Sequence, residues 1–138
     1  MSADDNGAGH VGMVIVSHSA SLADGLADLV GQVAGPNVSI ATAAGGPEGS
    51  LGTDGGHVLE VLRAAGSGAG VVVLADLGSS ILAVRAALAE LGDDGGRIVL
   101  ADAPLVEGAV AAGVTASTGA DLNDVVTAAE EARNARKL

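Results

Sequence analysis

The sequence predicts an α/β domain with a mostly parallel central sheet of about four strands, in the order 2-1-3-4, and helices on both faces. Short apolar runs rich in β-branched residues alternate with longer segments in which apolar residues recur at helical spacing. The 138 residues are 49% hydrophobic and include no aromatic residue, so the core must be built from Val, Leu, Ile and Ala. Side chains of this size pack well where helices lie on a parallel sheet.

Four runs are the predicted strands. Three of them are apolar almost throughout, as strands buried on both faces are: GMVIV at 12–16, GVVVLAD at 70–76 and RIVLAD at 97–102. The run VSIATA at 38–43 mixes polar with apolar residues, and we therefore expect it nearer an edge of the sheet.

Helical periods separate the strands, and the apolar members of each set share one helix face that we expect to pack on the sheet. These sets are Leu22, Leu26, Leu29 and Val33; Val58, Val61, Leu62 and Ala65; and Ile81, Val84, Leu88 and Leu91. A segment with Leu105, Val106, Val110 and Val114 follows the fourth strand, and a last helix runs from about Leu122 to Lys137. The order βαβαβαβαα implies right-handed crossovers between parallel strands.

Three helix starts carry candidate capping residues. Hydroxyl and carboxylate side chains accept hydrogen bonds from the free amides of a first helical turn. The candidate N-caps are Ser21 for the first helix, Thr53 or Asp54 for the second, and Ser79 or Ser80 for the third.

Length and composition narrow the range of functions. We expect a single domain at 11–138 behind a flexible arm at 1–10. The absence of cysteine excludes disulfides and cysteine-ligated zinc, and no apolar run is long enough to cross a bilayer, so we expect a soluble cytoplasmic protein. A formal net charge of −11 without aromatic side chains disfavours binding to nucleic acid and acidic lipid. An acidic surface can steer a basic protein partner, but taken alone the charge is more simply interpreted as a solubilising surface.

Candidate functional residues follow the first and third strands. In open parallel sheets, ligands bind beyond the carboxyl ends of the strands, and in the flavodoxin-like order these two strands are neighbours. His18 follows strand 1, and Asp76 ends strand 3. The residues after Asp76 lead directly into a helix, where Gly78, Ser79, Ser80 and free amides can hold an anion such as phosphate.

Phosphorylation of His18 is the chemistry that uses all of these features. An imidazole nitrogen is nucleophilic only when the other ring nitrogen keeps its proton, and a carboxylate that accepts a hydrogen bond from that proton fixes the tautomer. Asp76 is the candidate for this orienting role. The helix amides with Ser79 or Ser80 would stabilise the charge on a transferring phosphoryl group.

The same residues also have a structural interpretation, which spacing alone favours over a catalytic one. A histidine after a strand is often a loop or structural residue, and His10 and His57 fall in the predicted arm and on a helix face. A three-histidine metal site would require the arm to fold back, so we expect no metal. A hydrolase using Ser17 lacks the G-x-S-x-G turn, and a receiver-type phosphoaspartate at Asp76 lacks the acidic pair and the lysine that it requires.

Four segments carry a family resemblance: VIVSHSASLADGL, GTDGGHVLEVL, VVVLADLGSSILAVRAAL and APLVEGAVAAGVTASTGADL. Together they resemble the mannose-type enzyme IIA family of the phosphotransferase system (PTS), over residues from about Gly12 to Val126. Within that family, the LGSS sequence after Asp76 resembles the phosphotransfer subunits of PTS-dependent dihydroxyacetone kinases. Sugar-transporting members are similar elsewhere but typically have a Gly-Gly and Pro sequence here.

The resemblance implies a cytoplasmic homodimer with the mannose-type enzyme IIA fold and without a cofactor. Its histidine would take a phosphoryl group from the carrier protein HPr and pass it to ADP on the nucleotide-binding subunit of the kinase. The family motifs place phosphorylation at His18 and the orienting carboxylate at Asp76. They place the phosphate pocket at Gly78, Ser79, Ser80 and, nearby, Thr53, and they give no chemical role to Glu107.

Two alternatives follow from the same resemblance. One is the enzyme IIA component of a mannose-family sugar transporter. The other is a non-catalytic regulatory module on the same scaffold, since a fold does not fix a function. Some relatives also carry HPr-like and enzyme I-like domains behind this one, and a chain without them would depend on separate carriers.

Overall fold

The four predicted strands form one parallel sheet in the order β2-β1-β3-β4. The protein is described by a computed structural model that covers residues 9–66 and 68–138. The strands are β1 (Gly12–Ser17), β2 (Ile40–Ala44), β3 (Val71–Ala75) and β4 (Ile98–Leu100). The predicted class and strand order are therefore confirmed, and β2 is an edge strand as expected.

Five α-helices connect and follow the strands in the described part of the chain. They are α1 (Ala20–Ala34), α2 (Gly55–Ala65), α3 (Gly78–Leu91), α4 (Leu105–Ser117) and α5 (Leu122–Glu131). The last helix is shorter than predicted, because its final turn tightens to a 3₁₀ turn at Ala132–Asn134. Arg133 lies in that turn, and Arg136 and Lys137 lie beyond it.

Helices cover both faces of the sheet, as predicted. Alternate residues of β1 point to opposite faces, with Met13 and Ile15 on one and Val14 and Val16 on the other. The first face packs against α1, α4 and α5, and the second against α2 and α3. Because β1 and β3 lie inside the sheet and are covered on both sides, every one of their residues is buried.

The predicted packing face of α1 is wrong. Leu22, Leu29 and Val33 are exposed, whereas the buried residues of this helix are Ala23, Leu26, Val30 and Ala34. The helix packs through a stripe that includes two alanines, because α4 lies close beside it with small residues of its own. Apolar spacing alone did not distinguish this stripe from the neighbouring one.

The helix starts also differ in part from the prediction. Ser19, two residues before Ser21, caps α1 by accepting a hydrogen bond from the Leu22 amide. Asp54 caps α2, as predicted. Helix α3 begins at Gly78 without a side-chain cap, so Ser79 and Ser80 lie within its first turn.

The predicted arm lies largely outside the described residues, which begin at Gly9. His10 is half-buried, and its Nδ1 atom has no hydrogen-bond partner among the described groups. Within 9–66 and 68–138, no helix combines the length and the apolar character that crossing a membrane requires.

The approach of α1 to α4 depends on Gly113. A Cβ atom at this position would lie 2.6 Å from Cγ1 of Val30 and 3.4 Å from Cβ of Ala34. Val30 is β-branched and fully buried, so its side chain has little freedom to move away.

We expect Gly113→Ala to destabilise the protein by about 1–3 kcal/mol, the usual cost of overpacking a core. Gly25→Ala is the matched control, because it lies in α1 with no atom within 4 Å of the added carbon. Alanine's helix preference should make this control neutral or stabilising by about 0.5–1 kcal/mol. Urea unfolding monitored by circular dichroism gives both values, and equal effects of the two changes would contradict the close approach.

Candidate functional site

His18 lies between β1 and α1, at the carboxyl edge of the sheet. Its backbone carbonyl accepts a hydrogen bond of 3.0 Å from the amide of Gly52, which ties the β2–α2 loop to it. The pairing of Val16 with Ala75 sets the ends of β1 and β3 side by side. His18 and Asp76, 58 residues apart in the chain, therefore meet as the sequence predicted.

Asp76 holds His18 at two points. The Nδ1 atom of the ring lies 2.9 Å from Oδ1 of Asp76, and the backbone amide of His18 donates to Oδ2 at 3.0 Å. The imidazole side chain is 25% exposed and the Asp76 side chain 11%. Asp76 thus fixes the ring on its Nδ1 side, and the side chain remains partly exposed to solvent.

The hydrogen bonds around the ring determine its tautomer. Ser80 Oγ donates to Asp76 Oδ1 at 2.8 Å and lies 3.2 Å from Nδ1 of His18. An ionised carboxylate only accepts, and the single hydroxyl proton of Ser80 is used on it. Nδ1 must therefore carry the ring proton in the neutral imidazole, which leaves the lone pair on Nε2.

The Nε2 atom faces the first turn of α3. It contacts the hydroxyl of Ser79, an exposed residue. Within the described residues the amides of Gly78 and Ser79 donate no hydrogen bond, and the space beside Gly78 is open. Free amides at a helix start, with the positive end of the helix dipole, favour an anion at this point.

The predicted phosphate-pocket residues divide into two groups. Gly78 and Ser79 lie on the open side of the ring, next to Nε2. Ser80 is fully buried and lies on the Nδ1 side, and the hydroxyl of Thr53 lies 3.4 Å from the hydroxyl of Ser80. Ser80 therefore bonds to the Asp76 carboxylate, and Thr53 contacts Ser80 behind it.

Asp76 is held in its charged form. Partial burial raises the pKa of its carboxyl, but hydrogen bonds from the His18 amide, the His18 ring and the hydroxyls of Ser80 and Ser17 outweigh this effect. The net result is a pKa well below the usual range of an aspartate. The carboxylate therefore stays ionised near neutral pH, and it accepts from the ring without taking its proton.

Sequence reasoning did not give Ser17 a place in this site. Its hydroxyl donates to Asp76 Oδ2 at 2.9 Å. The available signal was a polar residue closing an otherwise apolar run before His18. The remaining histidines lie elsewhere: His57 is on α2, beside Glu60, and no cluster of metal-ligating side chains occurs in the part of the chain that the structure describes.

Glu107, for which the sequence suggested no role, lies in the first turn of α4. Its carboxylate forms an ion pair of 3.0 Å with Lys137. A hydrogen bond from Lys137 lowers the pKa of Glu107. The pair links the chain end to α4, and it involves no other site residue.

The low pKa of Asp76 predicts a loss of stability in acid. A carboxyl whose pKa is lowered by folding contributes stability above its unfolded pKa and loses it as pH falls through the lower folded value. We expect the free energy of unfolding of the wild type to exceed that of Asp76→Ala by about 2 kcal/mol near pH 6, with the difference shrinking below about pH 4. Urea unfolding between pH 2 and 7 measures it, and a difference independent of pH would contradict a charged, hydrogen-bonded Asp76.

Comparison with known proteins gives a family match over most of the chain. The family model described as PTS system fructose IIA component, EIIA-man, matches residues 12–126. These residues include all four strands and every site residue described above.

Curated relatives also match most of the chain. The phosphoryl donor subunit DhaM of the PEP-dependent dihydroxyacetone kinase of Escherichia coli is 37% identical over 92% of this chain, and that of Pantoea ananatis is 41% identical over 92%. The match covers 28% of the length of each of these relatives. A phosphoryl donor subunit DhaM of Listeria innocua, that of dihydroxyacetone kinase 2, is 31% identical over 75% of this chain and 84% of its own length.

Solved structures confirm the fold. The crystal structure of EF1359, a protein of unknown function, superimposes with a TM-score of 0.77 and 31% identity, over 88% of this chain and 93% of that one. A sigma-54 interaction domain protein from Enterococcus faecalis superimposes with a TM-score of 0.61 at 18% identity, over 88% and 89%, and shows the fold alone. The family match over residues 12–126 and the Listeria relative together show that the chain belongs to the EIIA-man family, the PTS system fructose IIA components.

Proposed function

We propose that this protein is a cytoplasmic histidine phosphocarrier of a dihydroxyacetone kinase. It would accept a phosphoryl group from phosphorylated HPr on Nε2 of His18 and pass it to ADP held by the nucleotide-binding subunit of the kinase. The observation that carries the proposal is the Nε2 atom, which is left without a proton because Nδ1 donates to an ionised Asp76, and which contacts the exposed Ser79 hydroxyl in a side chain that is 25% exposed. The phosphoryl donor subunits among the relatives support the same chemistry, and the family resemblance also favours a homodimer.

In the first transfer, the lone pair of Nε2 attacks the phosphorus of the donor's phosphohistidine. A new nitrogen–phosphorus bond forms on His18 while the bond in the donor breaks, and the donor ring keeps the electron pair. The positive charge that appears on the His18 ring is stabilised by Asp76 through Nδ1. The Ser79 hydroxyl must turn away from Nε2, and with the Gly78 and Ser79 amides it can then donate to the phosphoryl oxygens.

In the second transfer, a β-phosphate oxygen of ADP attacks the same phosphorus. The bond to Nε2 breaks, its electron pair returns to the ring, and ATP leaves with the partner. Nδ1 keeps its proton in both steps, so the carrier needs no acid or base of its own. Ser80 would then hold Asp76 through its hydroxyl, and Thr53 would contact Ser80. Gly78 and Ser79 would contact the phosphoryl group itself.

We expect incubation with phosphoenolpyruvate, enzyme I and HPr to add one acid-labile phosphoryl group per chain, measured by intact mass. His18→Ala should abolish the addition, because the chain then lacks the nucleophile. His57→Ala is the matched control, since His57 is an exposed histidine outside the site, and it should be phosphorylated like the wild type.

The outcomes of this experiment separate the alternatives. A non-catalytic module would gain no mass, and a hydrolase would release phosphate without storing it. The phosphorylated protein is then offered the ADP-loaded kinase subunit or an enzyme IIB component. Discharge onto ADP, with ATP formed, supports the kinase branch, and discharge onto enzyme IIB alone would assign the protein to a sugar transporter instead.

Apolar side chains around the site suit a protein partner. Leu51 in the β2–α2 loop is 78% exposed, and it precedes Gly52, which bonds to His18. Leu77, which follows Asp76, is 64% exposed, and Leu82 on α3 is 69% exposed one turn beyond Ser79. Exposed apolar groups of this kind beside a reactive atom are typical of docking surfaces.

We expect Leu51→Ser, Leu77→Ser and Leu82→Ser each to raise the KM for phosphorylated HPr by about 5- to 30-fold, as expected for loss of an apolar anchor worth 1–2 kcal/mol. Phosphorylation by the small donor phosphoramidate should stay unchanged, because the ring itself is intact. Leu29→Ser, on the exposed side of α1, is the control for a lost surface leucine. Equal losses with both donors would show that these leucines support the ring and do not dock a partner.

A further inference from the structure

Ser17 is a buried polar residue in an otherwise apolar strand. It is the last residue of β1, and its exposed fraction is 0%. Within residues 9–66 and 68–138, Ser17 and Ser80 are the buried polar side chains, and both donate a hydrogen bond to Asp76. A buried hydroxyl costs free energy unless it is bonded, so its placement at this point needs a reason.

The Ser17 hydroxyl both accepts and donates a hydrogen bond. The amide of Ser19 donates to Ser17 Oγ at 3.0 Å, and Ser17 Oγ donates to Oδ2 of Asp76 at 2.9 Å. The hydroxyl therefore links the first residues before α1 to the carboxylate after β3. Chains in which each group both accepts and donates strengthen their members.

This link helps to set how the carboxylate faces the ring, together with the Leu77 amide and the Ser80 hydroxyl, which donate to Oδ1. Oδ2 of Asp76 accepts from the Ser17 hydroxyl and from the His18 amide, and this leaves Oδ1 directed at Nδ1 of His18. If the Ser17 hydroxyl is removed, Oδ2 keeps a single donor and the plane of the carboxylate is less restrained. The bond between Oδ1 and Nδ1 depends on that plane.

We propose that Ser17 is a positioning residue, whose hydroxyl holds the Asp76 carboxylate so that His18 keeps its proton on Nδ1 and presents the lone pair on Nε2. The consequence for phosphoryl transfer rests on the proposed function, whereas the effect on the tautomer is a property of the unphosphorylated protein. The buried position also excludes Ser17 as a nucleophile toward an outside substrate, since its hydroxyl is enclosed and its proton is bonded to Asp76.

The test is a two-bond ¹H–¹⁵N correlation spectrum of the histidine rings, recorded where His18 is neutral. In the wild type we expect the Nδ1–H tautomer of His18 to dominate. Ser17→Ala should shift the ring to a mixture with the Nε2–H tautomer that an unrestrained imidazole prefers. Ser17→Cys has the same shape and is slightly larger, but its thiol donates only weakly. It should give a similar shift and replaces the alanine variant if that one folds poorly.

Two controls separate positioning from general loss of structure. Ser17→Thr keeps the hydroxyl and should restore the wild-type tautomer. Val14→Ala makes a cavity in the same strand, on the face covered by α2 and α3, and should leave the tautomer unchanged. Unchanged tautomers in Ser17→Ala and Ser17→Cys would overturn the proposal, as would an equal shift in Val14→Ala.

The phosphorylation assay on the same variants keeps the two proposals apart. Removing a group that orients a reactive side chain usually costs about 10- to 100-fold, so we expect this loss of phosphorylation rate in Ser17→Ala and a near-normal rate in Ser17→Thr. A wild type that takes no phosphoryl group, with the tautomer shift present, would defeat the proposed function and leave the positioning role intact. Normal phosphorylation in Ser17→Ala without a tautomer shift would defeat the positioning role alone.

Discussion

The structure around the site depends on the hydrogen bonds that the carboxylate of Asp76 accepts. Ser17 and Ser80, the buried polar side chains of the described residues, both donate to it. Five groups donate to it: the Ser17 hydroxyl, the His18 amide and ring, the Leu77 amide and the Ser80 hydroxyl. A largely buried charge is stable only when its oxygens are fully bonded. These bonds join the end of β1 to the start of α3. The interaction that orients the ring therefore also holds these two segments together.

Parallel strand pairing is what allows such a site to form. β1 and β3 are neighbours although α1, β2 and α2 lie between them in the chain. The register that pairs Val16 with Ala75 brings the residues after both strands to the same edge. β1 and β3 carry no polar side chain except that of Ser17 at the end of β1, so the polar side chains of the site come from the carboxyl edge of the sheet.

The sequence predicted what depends on general rules and missed what depends on local packing. Continuous β-branched runs identified the strands, and the rule for parallel sheets placed His18 beside Asp76. The packing face of α1 was wrong because the close approach of α4, through Gly113, selects alanines and leaves Leu22 and Leu29 outside. Which hydroxyl of α3 faces the open side and which the carboxylate depends on where the helix begins. The predicted caps, Ser79 or Ser80, were wrong, because the helix already begins at Gly78 without a side-chain cap.

Under the proposed function the same donors have a second consequence, because a phosphocarrier must also release the phosphoryl group that it accepts. A carboxylate that bonded only to the His18 ring would stabilise the positive, phosphorylated ring strongly and would slow the onward transfer. The amides and hydroxyls that share Asp76 disperse its charge, so less of it acts on the ring. Ser17 and Ser80 would therefore help to balance acceptance against release, while the ring keeps the orientation that both steps require.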